Sequence, residues 1–144
     1  LNGKQLVSDE LHLSSAVSYE SFHKTNGMKT TMTLRNMHFY AYHGVMPHER
    51  TVGGDYRVTL LLEADLSAAC SSDQLEDTLN YTGLYNLVKS EMEIPSRLIE
   101  HLAGRIYSRI KSVYPAITAL SVTLAKLQPP VSGRMEAAEI TLTD

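Results

Sequence analysis

The sequence predicts an α+β fold in which two pairs of strands enclose two helices, in the order β-β-α-α-β-β. Three observations carry that expectation. Tyr56, Val58, Leu60, Leu62 and Ala64 alternate with more polar neighbours, and Leu120, Val122 and Leu124 do the same, which is the two-residue period of half-buried strands. Between them, Leu84, Leu87, Val88 and Met92, then Leu98, Ile99, Leu102, Ile106, Ile110 and Val113, recur at helical spacing. Prolines and glycines punctuate the joins.

Residues 1–31 precede the first strand and are read as an N-terminal extension, either a packing arm built on Leu6, Leu11, Leu13, Val17 and Phe22 or an added segment. The domain proper is expected over 32–144. Its first strand runs from Met32 to Tyr42 and ends at His43-Gly44, and a loop broken by Pro47, Gly53 and Gly54 leads to the second, Tyr56 to Ala64. Leu66 to Leu79 is polar and acidic, suited to a loop with a helical turn. Asn80-Tyr81 then stands just ahead of the first helix, which Pro95 stops, since its ring fixes φ and it has no N–H to give. Ser96 is placed to cap the second helix, and Pro115 lies beyond its end. Strand three spans Ala119 to Lys126; after Pro129-Pro130 and Gly133, Ala138, Ile140 and Leu142 give strand four. Both helices are expected on one face of an antiparallel sheet with two open edges, which short protomers resolve by pairing with further copies.

Length and charge narrow the function. A chain of 144 residues suits one core, and a net charge of −3 without a basic cluster provides no footprint for nucleic acid or an anionic membrane. Cys70 is the single cysteine; it is expected as a small buried apolar group, and its solitude fits a reducing cytoplasmic setting. No apolar run reaches membrane-spanning length, and the first thirty residues lack a secretory signal pattern.

Four residues stand out as chemistry. Lys126 continues the phase of Leu120, Val122 and Leu124, so its ammonium is aimed at the apolar face, as either a snorkelling strand end or a desolvated proton carrier. Glu100 sits in the first turn of the second helix, where a carboxylate either matches the helix dipole or accepts two parallel N–H bonds from a planar edge such as that of an aminopyrimidinone. Glu49 falls in the loop Gly44-Val45-Met46-Pro47-His48-Glu49-Arg50, and Tyr81 offers a phenol at a helix entrance; taken singly, these are a solvated glutamate and a packing ring. The six histidines form neither a His-x-His pair nor a His-Glu-x-x-His motif, and His38, His43 and His48 are spaced so as neither to meet nor to share a face, so no metal site is expected. No phosphate-binding glycine loop or Gly-x-Ser-x-Gly elbow is present.

Together, Tyr40-Ala41-Tyr42-His43-Gly44-Val45 with Glu49, Leu79-Asn80-Tyr81 with Leu84-Tyr85, Leu98-Ile99-Glu100-His101-Leu102-Ala103, and Leu124-Ala125-Lys126 before Pro129-Pro130 closely resemble the dihydroneopterin aldolase family over Met32 to Leu142. The resemblance implies a tunnelling fold whose protomers join into tetrameric rings stacked as an octamer, with active sites between subunits and Tyr81 supplied across the junction. It implies a metal-independent lyase of folate biosynthesis, with no cofactor and no Schiff base, that splits 7,8-dihydroneopterin into 6-hydroxymethyl-7,8-dihydropterin and glycolaldehyde, with C2′ epimerisation as an accompanying reaction. Glu100 would then anchor the pterin amide and amino edge, Ile99 would add a backbone contact, Glu49 would meet the side-chain hydroxyls, and Lys126 and Tyr81 would handle protons. Leu127-Gln128, and the extension itself, depart from the family pattern. The rivals are a dihydroneopterin triphosphate epimerase, which calls for a basic rim from Arg50, Arg57 and Arg134, and a non-catalytic pterin-binding ring protein; retention of all four polar site residues weighs against the second.

Overall fold

A computed structural model of the protein describes residues 27–144, so the packing-arm reading of the extension lies outside the described residues except at its last few positions. Strands β1 (Thr31–Ala41), β2 (Gly54–Glu63), β3 (Ala119–Leu127) and β4 (Ala137–Thr143) form one antiparallel sheet in that order. Two short helices, α1 (Pro47–Val52) and α2 (Ser67–Ser72), occupy the first two connections, and a 3-10 turn covers Leu75–Asp77. The main helices, α3 (Tyr81–Met92) and α4 (Ile99–Val113), pack on the sheet, α3 against β1 and α4 against β3 and β4.

The period-two strands dictate which face they cover. Val58, Leu60 and Leu62 of β2 and Leu120, Val122 and Leu124 of β3 are buried against Leu84 and Val88 of α3 and Leu102, Ile106 and Ile110 of α4. Truncating any of these leucines to alanine should cost about 2–5 kcal/mol, the lost transfer energy plus the cavity left behind. The opposite face carries Arg57, Thr59, Leu61, Thr123 and Glu139, and among the described residues β1 and β4 each keep one unpaired edge.

β1 changes phase along its length. Leu34 pairs with Leu60 but Met37 pairs with Val58, so one extra residue is accommodated at Asn36, whose φ of 53° is left-handed. Asparagine tolerates that conformation, and its N–H donates to Thr59 Oγ1 at 3.0 Å. Met32 and Leu34 face the helices before the bulge; Met37, Phe39 and Ala41 do so after it. Tyr40 and Tyr42 are thereby turned outward.

Three local expectations are corrected. Tyr81 opens α3 rather than preceding it, because Asn80 caps the helix by accepting the Thr82 N–H at 3.0 Å. Ser96 does not cap α4: the helix begins only at Ile99 with the extended Leu98 at its N-cap, and the buried Ser96 hydroxyl is engaged elsewhere. Cys70 is exposed, since the six-residue α2 lies on the surface and buries none of its residues.

Candidate active site

The β2–β3 register pairs Lys126 with Tyr56, so Lys126 points to the helix-bearing side at the end of the sheet, as its phase predicts. Its Nζ donates to the His43 carbonyl at 3.1 Å and forms an ion pair with Glu49. The two side chains retain only 16% and 10% of their exposure, so this is a largely desolvated pair. Glu49 reaches it from α1, a short helix where the sequence predicts a loop. Its other carboxylate oxygen accepts the Met46 N–H at 3.0 Å, closing the first turn of α1.

Gly44 makes this geometry feasible. A Cβ there would fall 2.3 Å from Glu49 Oε2, and its φ of 156° disfavours a side chain in any case. Burial works against the charged form of Glu49, but the Lys126 hydrogen bond, the Met46 N–H and the charges of Lys126 and His48 together hold its carboxyl below the usual glutamate value. The pair borders a cleft of about 150 Å³ that is also lined by His48, Gly53, Tyr56 and Gln128. A hollow on the opposite face of the sheet, lined by Arg57, Thr59, Thr123 and Glu139, holds none of the candidate residues.

His43 is the residue that sequence reasoning passed over. It is completely buried, with Nε2 3.0 Å from the Met92 carbonyl and Nδ1 accepting the Ser96 N–H at 3.0 Å. With Nδ1 an acceptor, Nε2 must carry the proton and donate it, so both ring nitrogens are satisfied by the neutral form. Burial pushes its pKa down to about 4, the charges of Arg105 and Lys126 adding to the effect of burial and the Met92 carbonyl opposing it. The His43 carbonyl accepts a second bond, from the Tyr56 hydroxyl at 2.7 Å. Burial and the Glu49 charge raise that phenol to about 12, so it stays a donor. Gly44 N–H donates to the Ser96 carbonyl at 2.9 Å, and Ser96 Oγ lies 3.1 Å from His101 Nδ1 and accepts from Arg105 at 3.0 Å. Arg105 also binds the buried Glu91 and the carbonyls of Glu91 and Ile94.

The other sequence candidates lie apart from the pair. Ile99 and Glu100 form the first residues of α4, Ile99 packing against the core and Glu100 exposed, with no hydrogen bond or ion pair among the described residues. Its carboxylate is free to accept from a ligand. Tyr81 is 65% exposed and lines a separate hollow with Leu34, Arg35, Met37, Thr82 and Tyr85. One protomer thus joins Glu49 to Lys126 but does not bring Tyr81 to them.

The three arginines named for a triphosphate rim do not converge. Arg50 is committed to the Gly44 and Val45 carbonyls, at 2.7 and 2.9 Å. Arg57 faces the other side of the sheet, where its Nε donates to His38. Arg134 is exposed beside Gln128 and Glu136 in a neighbouring hollow. Among the described residues no group of three or more His, Cys, Asp or Glu is arranged to hold a metal ion, and no helix is long and apolar enough to cross a membrane.

The FolB dihydroneopterin aldolase family model matches residues 32–143. A dihydroneopterin aldolase from Staphylococcus epidermidis is 40% identical over 116 residues, covering 80% of this chain and 96% of its own; one from Bacillus subtilis is 36% identical over 111 residues, covering 76% and 92%. The fold is also that of E. coli dihydroneopterin aldolase in complex with neopterin, with a TM-score of 0.74 at 17% identity over 80% of this chain and 98% of that one. The Burkholderia thailendensis enzyme bound to guanine superposes with a TM-score of 0.65 at 18% identity, covering 81% and 90%. With its matched segment spanning nearly every described residue, the chain belongs to the dihydroneopterin aldolase family, lyases that act on a folate-pathway pterin.

Proposed function

We propose that the aldol cleavage of 7,8-dihydroneopterin runs here without metal or Schiff base, that Lys126 and Glu49 manage the protons and hydroxyls, and that Glu100 and the Ile99 backbone hold the pterin. The Lys126–Glu49 pair carries this reading. An ammonium held by a carboxylate and a carbonyl is a poor nucleophile, which argues against imine formation, yet one of its three N–H groups remains for the cleft. Through water the pair can pass protons at the substrate side chain, the Glu49 carboxylate accepting and the Lys126 ammonium donating.

The substrate explains why this suffices. Loss of the 2′-hydroxyl proton allows the C1′–C2′ bond to break, with C2′ becoming the aldehyde carbon of glycolaldehyde. The bonding electrons enter the N5=C6 imine of the ring, leaving an enol-like pterin that gains a proton at C1′. Tyr81 of the partner subunit is the proposed relay for that last proton. Its exposure and its distance from the pair within one protomer suit a site shared across a ring, of the kind open edges at β1 and β4 favour. The neopterin and guanine bound by the structural neighbours present the same kind of planar amide and amino edge that Glu100 could accept.

The test is glycolaldehyde release from chelator-treated protein, with the free and triphosphorylated substrates compared, and in a separate incubation with substrate and borohydride the mass of the protein. Cleavage of the free substrate undiminished by chelator, and no mass added by borohydride, is expected. Loss of activity on chelation, or a borohydride-trapped adduct at Lys126, overturns the mechanism.

A further inference from the structure

We infer that His43 is a positioning residue that ties the Lys126–Glu49 pair to the start of α4, so that the proton-handling and pterin-holding halves of the site keep a fixed separation. The inference rests on the aldolase reading of the site. Its carrier is the hydrogen bonding of one buried residue. Through its carbonyl, His43 accepts from Lys126 Nζ and from the Tyr56 hydroxyl. Through its ring it bonds the Met92 carbonyl, at the last residue of α3, and the Ser96 N–H, within the short connection to α4. Ser96 Oγ carries the link into α4 through His101, the residue after Glu100, and through Arg105 one turn further on.

Beside it, only the backbone bond from the Gly44 N–H to the Ser96 carbonyl joins the same two segments among the contacts described above. Glu100 bonds neither Lys126 nor Glu49, so the separation between pterin anchor and ammonium is set by backbone, and the backbone is fixed by this network. An imidazole suits the task because one neutral ring presents a donor and an acceptor on opposite sides. Replacing it with an apolar side chain leaves the Ser96 N–H and Met92 carbonyl buried and unpaired. Displacing a reacting group by about 1 Å can cost on the order of 10²-fold in rate, so small slippage here is enough to matter.

The network divides into two arms that can be cut separately. Tyr56→Phe removes the hydroxyl that shares the His43 carbonyl with Lys126, and Ser96→Ala removes the hydroxyl that grips α4. Neither changes side-chain volume much. Tyr56→Phe should lower single-turnover rate about tenfold with neopterin affinity unchanged, and Ser96→Ala should weaken neopterin affinity several-fold with single-turnover rate at saturation retained. His43→Leu, if it folds, should do both, and His43→Gln, which keeps a donor and an acceptor, should restore part of each.

Affinity is read by titration with neopterin, rate by rapid-quench release of glycolaldehyde, and folding by melting temperature. If both single-arm variants lose melting temperature but keep wild-type rate and affinity, His43 is only a core residue and the inference is wrong. Equal effects of both arms on rate and affinity overturn it as well. Should the wild-type protein release no glycolaldehyde, the reaction assignment fails, while the affinity split between Ser96→Ala and Tyr56→Phe still decides the positioning claim.

Discussion

Replacing Lys126 by alanine removes the one cation from a largely desolvated pair. Two unit charges at about 4 Å attract by about 4 kcal/mol at an effective dielectric constant of 20, a gross term that desolvation of both groups offsets. With the ammonium gone, Glu49 keeps the Met46 N–H, but burial is then poorly opposed and its carboxyl titrates at a higher pH than in the wild type. A net stability loss of about 1–3 kcal/mol is expected, below the range for breaking fully buried pairs because both groups retain some solvent. The kinetic loss should be larger. Removing a general acid or base slows the chemical step by roughly 10²–10⁴-fold, which corresponds to about 3–5 kcal/mol of barrier. Glu100 is untouched, so neopterin affinity should change little. Single-turnover glycolaldehyde release, measured on protein whose assembly state matches wild type, separates the two effects. A near-normal rate in a destabilised Lys126→Ala protein would show the lysine to be structural and remove it from the mechanism.

Glu100→Gln replaces a charged double acceptor with one acceptor and one donor, and should weaken neopterin binding by about 1.5–3 kcal/mol in calorimetry, with little change in melting temperature because the side chain is exposed. Mixing Tyr81→Phe with Lys126→Ala subunits should restore activity in verified mixed rings, each ring then containing junctions with both wild-type residues; rings that form but stay inactive would count against the shared site. Acid should destabilise the fold through His43: the unfolded chain takes up its proton near pH 6.5 and the folded chain only near 4, so stability is full above that interval and declines through it by about 3 kcal/mol. Glu49, whose folded pKa is depressed, adds a further loss as pH falls below the ordinary glutamate range, and the Lys126→Ala protein should lack most of it. Urea midpoints measured from pH 7 down to pH 3 in wild type, Lys126→Ala and His43→Gln check both slopes.

What the sequence revealed of the fold depended on whether a single period ran through each segment. β2 and β3 alternate without interruption, and their buried faces could be read residue by residue. β1 has the same two-residue period, but the extra residue at Asn36 reverses its phase, so the segment reads as generally apolar and its two outward tyrosines are concealed. Where the helices begin was decided by local hydrogen bonds rather than by periodicity. Asn80 takes the Thr82 N–H and starts α3 at Tyr81; Ser96 has the right residue type to cap α4 but lies two residues ahead of its N-cap, its hydroxyl held by His101 and Arg105. Residue type therefore permitted both caps, and tertiary partners selected one.

The same distinction runs through the site. Lys126 was legible because a charged residue on an apolar phase contradicts the pattern around it, and the structure supplies the reason in Glu49 and the His43 carbonyl. The place of Glu100 in the first turn of α4 was legible because a helix start is a local feature. Glu49 was not placed by any pattern, since its position follows from the one-turn α1 and from the space Gly44 leaves for its carboxylate. His43 left still less trace: its ring partners, Ser96 and Met92, are about fifty residues away in sequence, and neither contributes more than backbone to it. Sequence patterns report a residue that breaks a period; a residue that satisfies distant backbone breaks none. For that reason Lys126 and Glu100 could be nominated from their places in the pattern, whereas the buried connection between their two elements became visible only with the fold.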